Sequence, residues 1–98
     1  MLQALTTLRD QHQKRRTAAI NALTAHLRVH DLGIDARTPL SAAQIRTVAG
    51  WRTRLEDQWT AELRLIAGEY AQDIIALDNK LADNEKKLDQ LTTTHTPE

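Results

Sequence analysis

The chain has ninety-eight residues, no phenylalanine, only three aromatic side chains and 27% charged residues, which fits one small domain and excludes a thick aromatic core. The absence of cysteine rules out a disulfide framework or a thiolate metal site, and no apolar run approaches the ~18–20 residues that span a bilayer. The formal net charge is zero, yet residues 1–64 hold ten Lys/Arg against six Asp/Glu, a net +4, and residues 65–98 hold three against seven, a net −4. That split has two readings. Either basic and acidic helices complement each other within the fold or across a dimer, or the basic half faces nucleic acid.

The first helix is expected over residues 1–30. Leu5, Leu8, His12, Arg16, Ala19, Ile20, Leu23 and Leu27 recur at three- and four-residue steps and make one face. His12 and Arg16 interrupt that face where Lys14, Arg15 and Arg16 cluster. Arg9, Asp10 and Lys14 also arrive too early for a signal-peptide apolar region, so the expectation is a soluble intracellular protein with no membrane contact. A linker follows over 31–40. Gly33 suits a left-handed position after the helix, and Pro39 pushes Thr38 out of helical geometry.

A short second helix is expected over 41–50. Ser41 and Gln44 have capping-box spacing, Ile45 and Val48 give an apolar face, and Gly50 ends it. Thr53 and Glu56 form a second such pattern, which predicts a long third helix over 53–92, on the order of 55–60 Å in length. The tail, 93–98, has no periodicity and should fray.

The third helix carries the strongest pattern in the chain. With Ala67, Ile74, Leu81 and Leu88 at heptad position a, Leu63, Tyr70, Leu77, Asn84 and Leu91 fall at position d. Apolar side chains at this spacing form a seam that another helix must cover. The predicted fold is all-α: an antiparallel helical hairpin or coiled coil with a short connecting helix, dimerising into a helical bundle. The first helix is the shorter, so the Leu81–Leu91 end would overhang. Asn84 breaks the seam, either pairing with a symmetry mate to set register or sitting at a wet end. Leu65 and Ile75 lie off the seam with Gly68 between them, a second stripe where a partner helix could approach closely.

No catalytic constellation, cofactor motif or small-molecule site is legible. Ser41 is the only serine, and its spacing makes it a cap. Glu56, Asp57, Glu62, Glu69 and Asp73 all follow one helix as a solvated face, whereas two-metal sites gather carboxylates from several elements. His26 and His30 stand at i, i+4 without a third ligand. The basic residues Arg9, Lys14, Arg15, Arg16, Arg28, Arg46, Arg52 and Arg54 are mostly arginine, which suits bidentate phosphate contact. Trp51, beside Arg52, could stack on a base. The alternative is that Trp51 and Trp59 anchor the short helix on the third.

Four runs follow in order: KRRTAAINAL at 14–23, LRVHDLG at 27–33, IRTVAGWR at 45–52 and IALDNKL at 75–81. Together they resemble the middle segment of insertion-sequence transposases that pair a RuvC-like DEDD domain with a serine-bearing transposase domain, the recombinases guided by a bridge RNA. The resemblance spans about residues 2–91. It implies a non-catalytic coiled-coil oligomerisation module that holds protomers together as a homodimer, with DNA or guide RNA bound in the full-length protein. It also implies an excised fragment inactive without the flanking catalytic domains. Ser41 does not match the context of the family's nucleophile, so no catalytic residue carries over. The alternative function is a helical module that binds an RNA or DNA backbone through the basic first half.

Overall fold

The computed structural model describes residues 2–52 and 56–95, and these form three α-helices with no strand among the described residues. α1 spans Leu2–Val29, α2 spans Ala42–Ala49 and α3 spans Gln58–His95. The described chain measures 63 × 22 × 19 Å. The long axis is close to the length of α3, whose 38 residues rise about 57 Å at 1.5 Å each. α1 and α2 both pack on α3. α1 runs antiparallel to it, since Asn84 reaches Leu5 while His26 reaches Leu63. The expected all-α hairpin with a short connecting helix is the architecture observed.

The heptad register identifies the face that α1 covers. Leu63, Ala67, Ile74, Leu77 and Asn84 are buried, and Tyr70, Leu81, Leu88 and Leu91 are half-buried. The helix that covers this seam as far as Asn84 is therefore α1 of the same chain. Ala71 is fully buried although it lies outside the a and d positions. It belongs with Gly68 and Ile75 to a second stripe, and α2 sits there. A Cβ on Gly68 would stand 3.5 Å from the Val48 carbonyl oxygen, and Gln72 Nε2 donates to the Ala49 carbonyl at 3.1 Å. The close approach expected at Gly68 is thus made by the chain's own short helix.

α2 is set by its caps. The Gln44 amide donates to Ser41 Oγ at 3.1 Å and the Ser41 amide donates to Gln44 Oε1 at 2.9 Å, the reciprocal box that the spacing predicts. At its end the Gly50 amide donates to the Arg46 and Thr47 carbonyls. Gly33 adopts φ +92°, the left-handed conformation glycine tolerates, three residues after His30. The linker does more than connect: Leu32 and Ala36 are buried beside Leu23, Leu27, Ile45, Val48, Leu63 and Ala67 in one core.

Three expectations are corrected. α3 begins at Gln58 rather than at 53, because Asp57 is its cap: Asp57 Oδ2 accepts from the Thr60 amide at 3.3 Å. Glu56 caps nothing; it accepts from Arg64 Nε at 2.9 and 3.2 Å, and Thr53 lies outside the described residues. α3 continues to His95 rather than stopping at Thr92. Leu8, assigned to the buried face of α1, is 41% exposed, because beyond the reach of α2 only one neighbouring helix is available to cover it.

Candidate nucleic-acid interface

The predicted basic residues do not form one surface. Consecutive helical residues point about 100° apart, so the Lys14–Arg16 cluster divides. Lys14 lies beside Asp10 and Thr17 on the outer face of α1. Arg15 borders the side of α3 that carries Asp73 and Lys80. Arg16 turns to the other side, where its Nε donates to Asp78 Oδ1. Arg9 is half-buried in the distal half of α1 with Nε unpartnered, and Arg52 is exposed after α2. Arg54 is outside the described residues.

Arg16 instead joins residues distant in sequence. A groove of about 830 Å³ runs between α1, the 37–40 segment, α2 and α3, and four arginines line it: Arg16, Arg28, Arg37 and Arg46. The apolar side chains of Ile20, Leu40, Ile45 and Ile75 line it too, and Asn21, Thr24, Thr38 and Asn79 add uncharged polar groups. Among the described residues, Asp78 is the one acidic residue in the lining. Three of the arginines were expected nucleic-acid contacts. Arg37 was missed because the linker has no periodicity to mark a face; its signal was simply its charge before a Thr-Pro turn.

Each arginine is positioned by local structure. Arg28 Nε donates to the Ala36 carbonyl at 2.9 Å, tying the end of α1 to the linker. Arg37 donates from Nε to Asp35 Oδ1 and from Nη2 to Asp35 Oδ2, both at 3.1 Å. The hydrogen bond from the Arg37 side chain holds the Asp35 carboxyl below its ordinary range, and Asp35 in turn raises Arg37. Arg46 projects from α2, which the Ser41 box holds in place.

The tryptophans part company. Trp51 packs half-buried against the core with the Arg64 guanidinium 5.0 Å from its ring centroid, and the Glu56–Arg64 pair fixes that cation at 13% and 17% side-chain exposure. The core packing of Trp51 fits the anchoring reading rather than the base-stacking one. Trp59 does not anchor α2: it is 66% exposed in the first turn of α3, edge-on to His30 at 6.5 Å. The His26 and His30 rings lie 4.9 Å apart, tilted by 56°. His26 Nε2 lies 2.8 Å from the Leu63 carbonyl, which can only accept, so that nitrogen carries the proton. Among the described residues no group of three His, Asp or Glu side chains could hold a metal ion, and no helix is long and apolar enough to cross a membrane.

No family model, curated protein or solved structure matches this chain.

Proposed function

We propose that this chain is a non-catalytic helical module that holds an RNA or DNA backbone in the arginine-lined groove, working in the bacterial cytoplasm within an insertion-sequence transposase of the kind it resembles. One observation carries the reading: Arg16, Arg28, Arg37 and Arg46, from three separate segments, converge on one concave surface with, among the described residues, a single lining carboxylate. Guanidinium groups suit bidentate contact with phosphate oxygens, and a concave basic surface concentrates the field of its charges. The test is binding of labelled single-stranded and duplex oligonucleotides between about 50 and 200 mM salt. Affinity should fall steeply with salt. Arg28→Glu combined with Arg46→Glu should lower it by about tenfold or more, and Arg15→Glu on the other flank of the seam should do less. Equal binding by all three proteins would remove the groove from consideration.

A second reading, that the module holds two protomers together as a homodimer, is favoured by the end of the hairpin remote from α2. Leu2 and Leu8 are 42% and 41% exposed there, and Leu81, Leu88 and Leu91 are only half-buried. Light scattering over a dilution series decides it. A mass of twice the chain that Leu8→Glu and Leu91→Glu reduce to one supports the dimer; a monomer throughout ends it.

A further inference from the structure

Two of the groove's arginines already hold anions: Asp78 in the lining, and Asp35, which stands outside the lining but pairs with Arg37. Asp78 on α3 accepts from Arg16 on α1 across one wall. Asp35 fills the fork of Arg37 with two parallel hydrogen bonds, the same two-point geometry by which arginine takes a phosphate. The Ala36 carbonyl takes Arg28 Nε. Of the four guanidinium groups, that of Arg46 alone has no hydrogen-bonded or ion-paired partner among the described residues. Both carboxylates remain accessible, Asp78 at 48% and Asp35 at 55% side-chain exposure.

We infer that Asp35 and Asp78 are built-in competitors of the ligand, occupying guanidinium groups that phosphates take over, so that the groove selects a chain of successive phosphates over a single phosphate ion. This rests on the backbone-binding reading above and adds the ligand class and the residues that set it. A tethered carboxylate competes at high effective concentration, because it cannot diffuse away. A lone phosphate gains little by exchanging one guanidinium–carboxylate contact for one guanidinium–phosphate contact. A phosphodiester chain gains more. It engages Arg46 without displacing anything, keeps its next phosphates close to Arg16 and Arg37, and releases counterions at each contact. The internal pairs also restrict the Arg16 and Arg37 side chains, which lowers the side-chain entropy lost on binding.

The test uses the whole chain and labelled single-stranded RNA and DNA of about 16 nucleotides, read by fluorescence anisotropy, with inorganic phosphate as competitor. Asp78→Asn and Asp35→Asn keep shape and remove charge. Each should tighten binding by about two- to fivefold. Asp83→Asn, which pairs with none of the four arginines among the described residues, should change it by less than about twofold. In an Arg16→Gln background the gain from Asp78→Asn should vanish. Inorganic phosphate at ~1 mM, a concentration at which single-contact ligands are weakly held, should leave the complex intact. The inference is overturned if Asp78→Asn and Asp35→Asn gain no more than Asp83→Asn, or if inorganic phosphate displaces the oligonucleotide. If no variant binds either oligonucleotide while circular dichroism shows the helices intact, the backbone-binding reading itself fails, and this inference fails with it.

Discussion

The two ends of this hairpin are built from the same kinds of residue and differ in how many neighbours each helix has. At the end bearing α2, three elements and the linker converge, and Leu23, Val48 and Ile74 are completely buried. At the other end α1 and α3 have only each other. There the seam leucines of α3 are half-buried, and two polar side chains are enclosed: His12 at 7% and Asn84 at 3% exposure. Asn84 Nδ2 donates to the Leu5 carbonyl at 3.1 Å, but Asn84 Oδ1, His12 Nδ1 and Arg9 Nε have no hydrogen-bond partner among the described residues. The lesson is that a heptad pattern specifies a contact face, while the number of elements meeting that face decides how much free energy it contributes. A two-helix contact leaves each seam residue with an open flank, and buried polar groups without partners carry a desolvation cost.

The sharpest way to break this contrast is paired truncation. Leu23→Ala or Ile74→Ala should cost about 3–5 kcal/mol, near the upper range for enclosed aliphatic side chains, whereas Leu81→Ala or Leu88→Ala should cost about 1 kcal/mol because the site can collapse and is already wet. Urea unfolding followed by circular dichroism measures both, and equal losses at the two ends would dissolve the distinction. Next in size is the polar layer. Asn84→Leu removes an acceptor that has no donor and leaves the Leu5 carbonyl its helical partner, so it should raise stability by about 1 kcal/mol. A loss of that size would mean that Asn84 sets the register of α1 on α3.

Smaller still is the contact under α2. A Cβ at Gly68 meets the Val48 carbonyl at 3.5 Å, ordinary van der Waals contact. Gly68→Ala should therefore keep the packing and gain about 0.5–1 kcal/mol of helix propensity. Gly68→Leu should push α2 off α3, seen as loss of protection in amide exchange over residues 42–49. The smallest effect is that of acid. Hydrogen bonding from Thr60, its side chain first, holds the Asp57 carboxyl below its ordinary value of 3.8. A depressed carboxyl contributes stability that is complete above the ordinary value and is lost as pH falls through the lower folded value. Melting of the start of α3 should therefore ease between about pH 4 and pH 2, and Asp57→Asn should flatten that slope.

Much of the fold was legible in the residues. The α1 face, the Ser41 box, the left-handed Gly33 and the α3 seam each depend on contacts within a few residues or on a fixed helical period, and such patterns are written locally. The start of α3 was less legible, because the Thr53/Glu56 spacing matched a capping box while Glu56 is drawn by Arg64 into an ion pair beside Trp51 and Asp57 accepts from the Thr60 amide. The candidate site was the least legible part. The basic residues were countable, but a count cannot place Arg15 and Arg16 on opposite flanks of α3, nor bring Arg37 out of a non-periodic linker to stand with Arg46.

The sequence by itself thus determined the helical class, the three elements and the residues that α3 must bury, because hydrophobic period and capping chemistry act at short range. Only the tertiary structure decided what covers that seam, where Gly68 is approached, and which arginines share a groove. Those outcomes depend on how α1 and α2 divide the surface of α3 between them, and that division is set by packing between residues far apart in the chain.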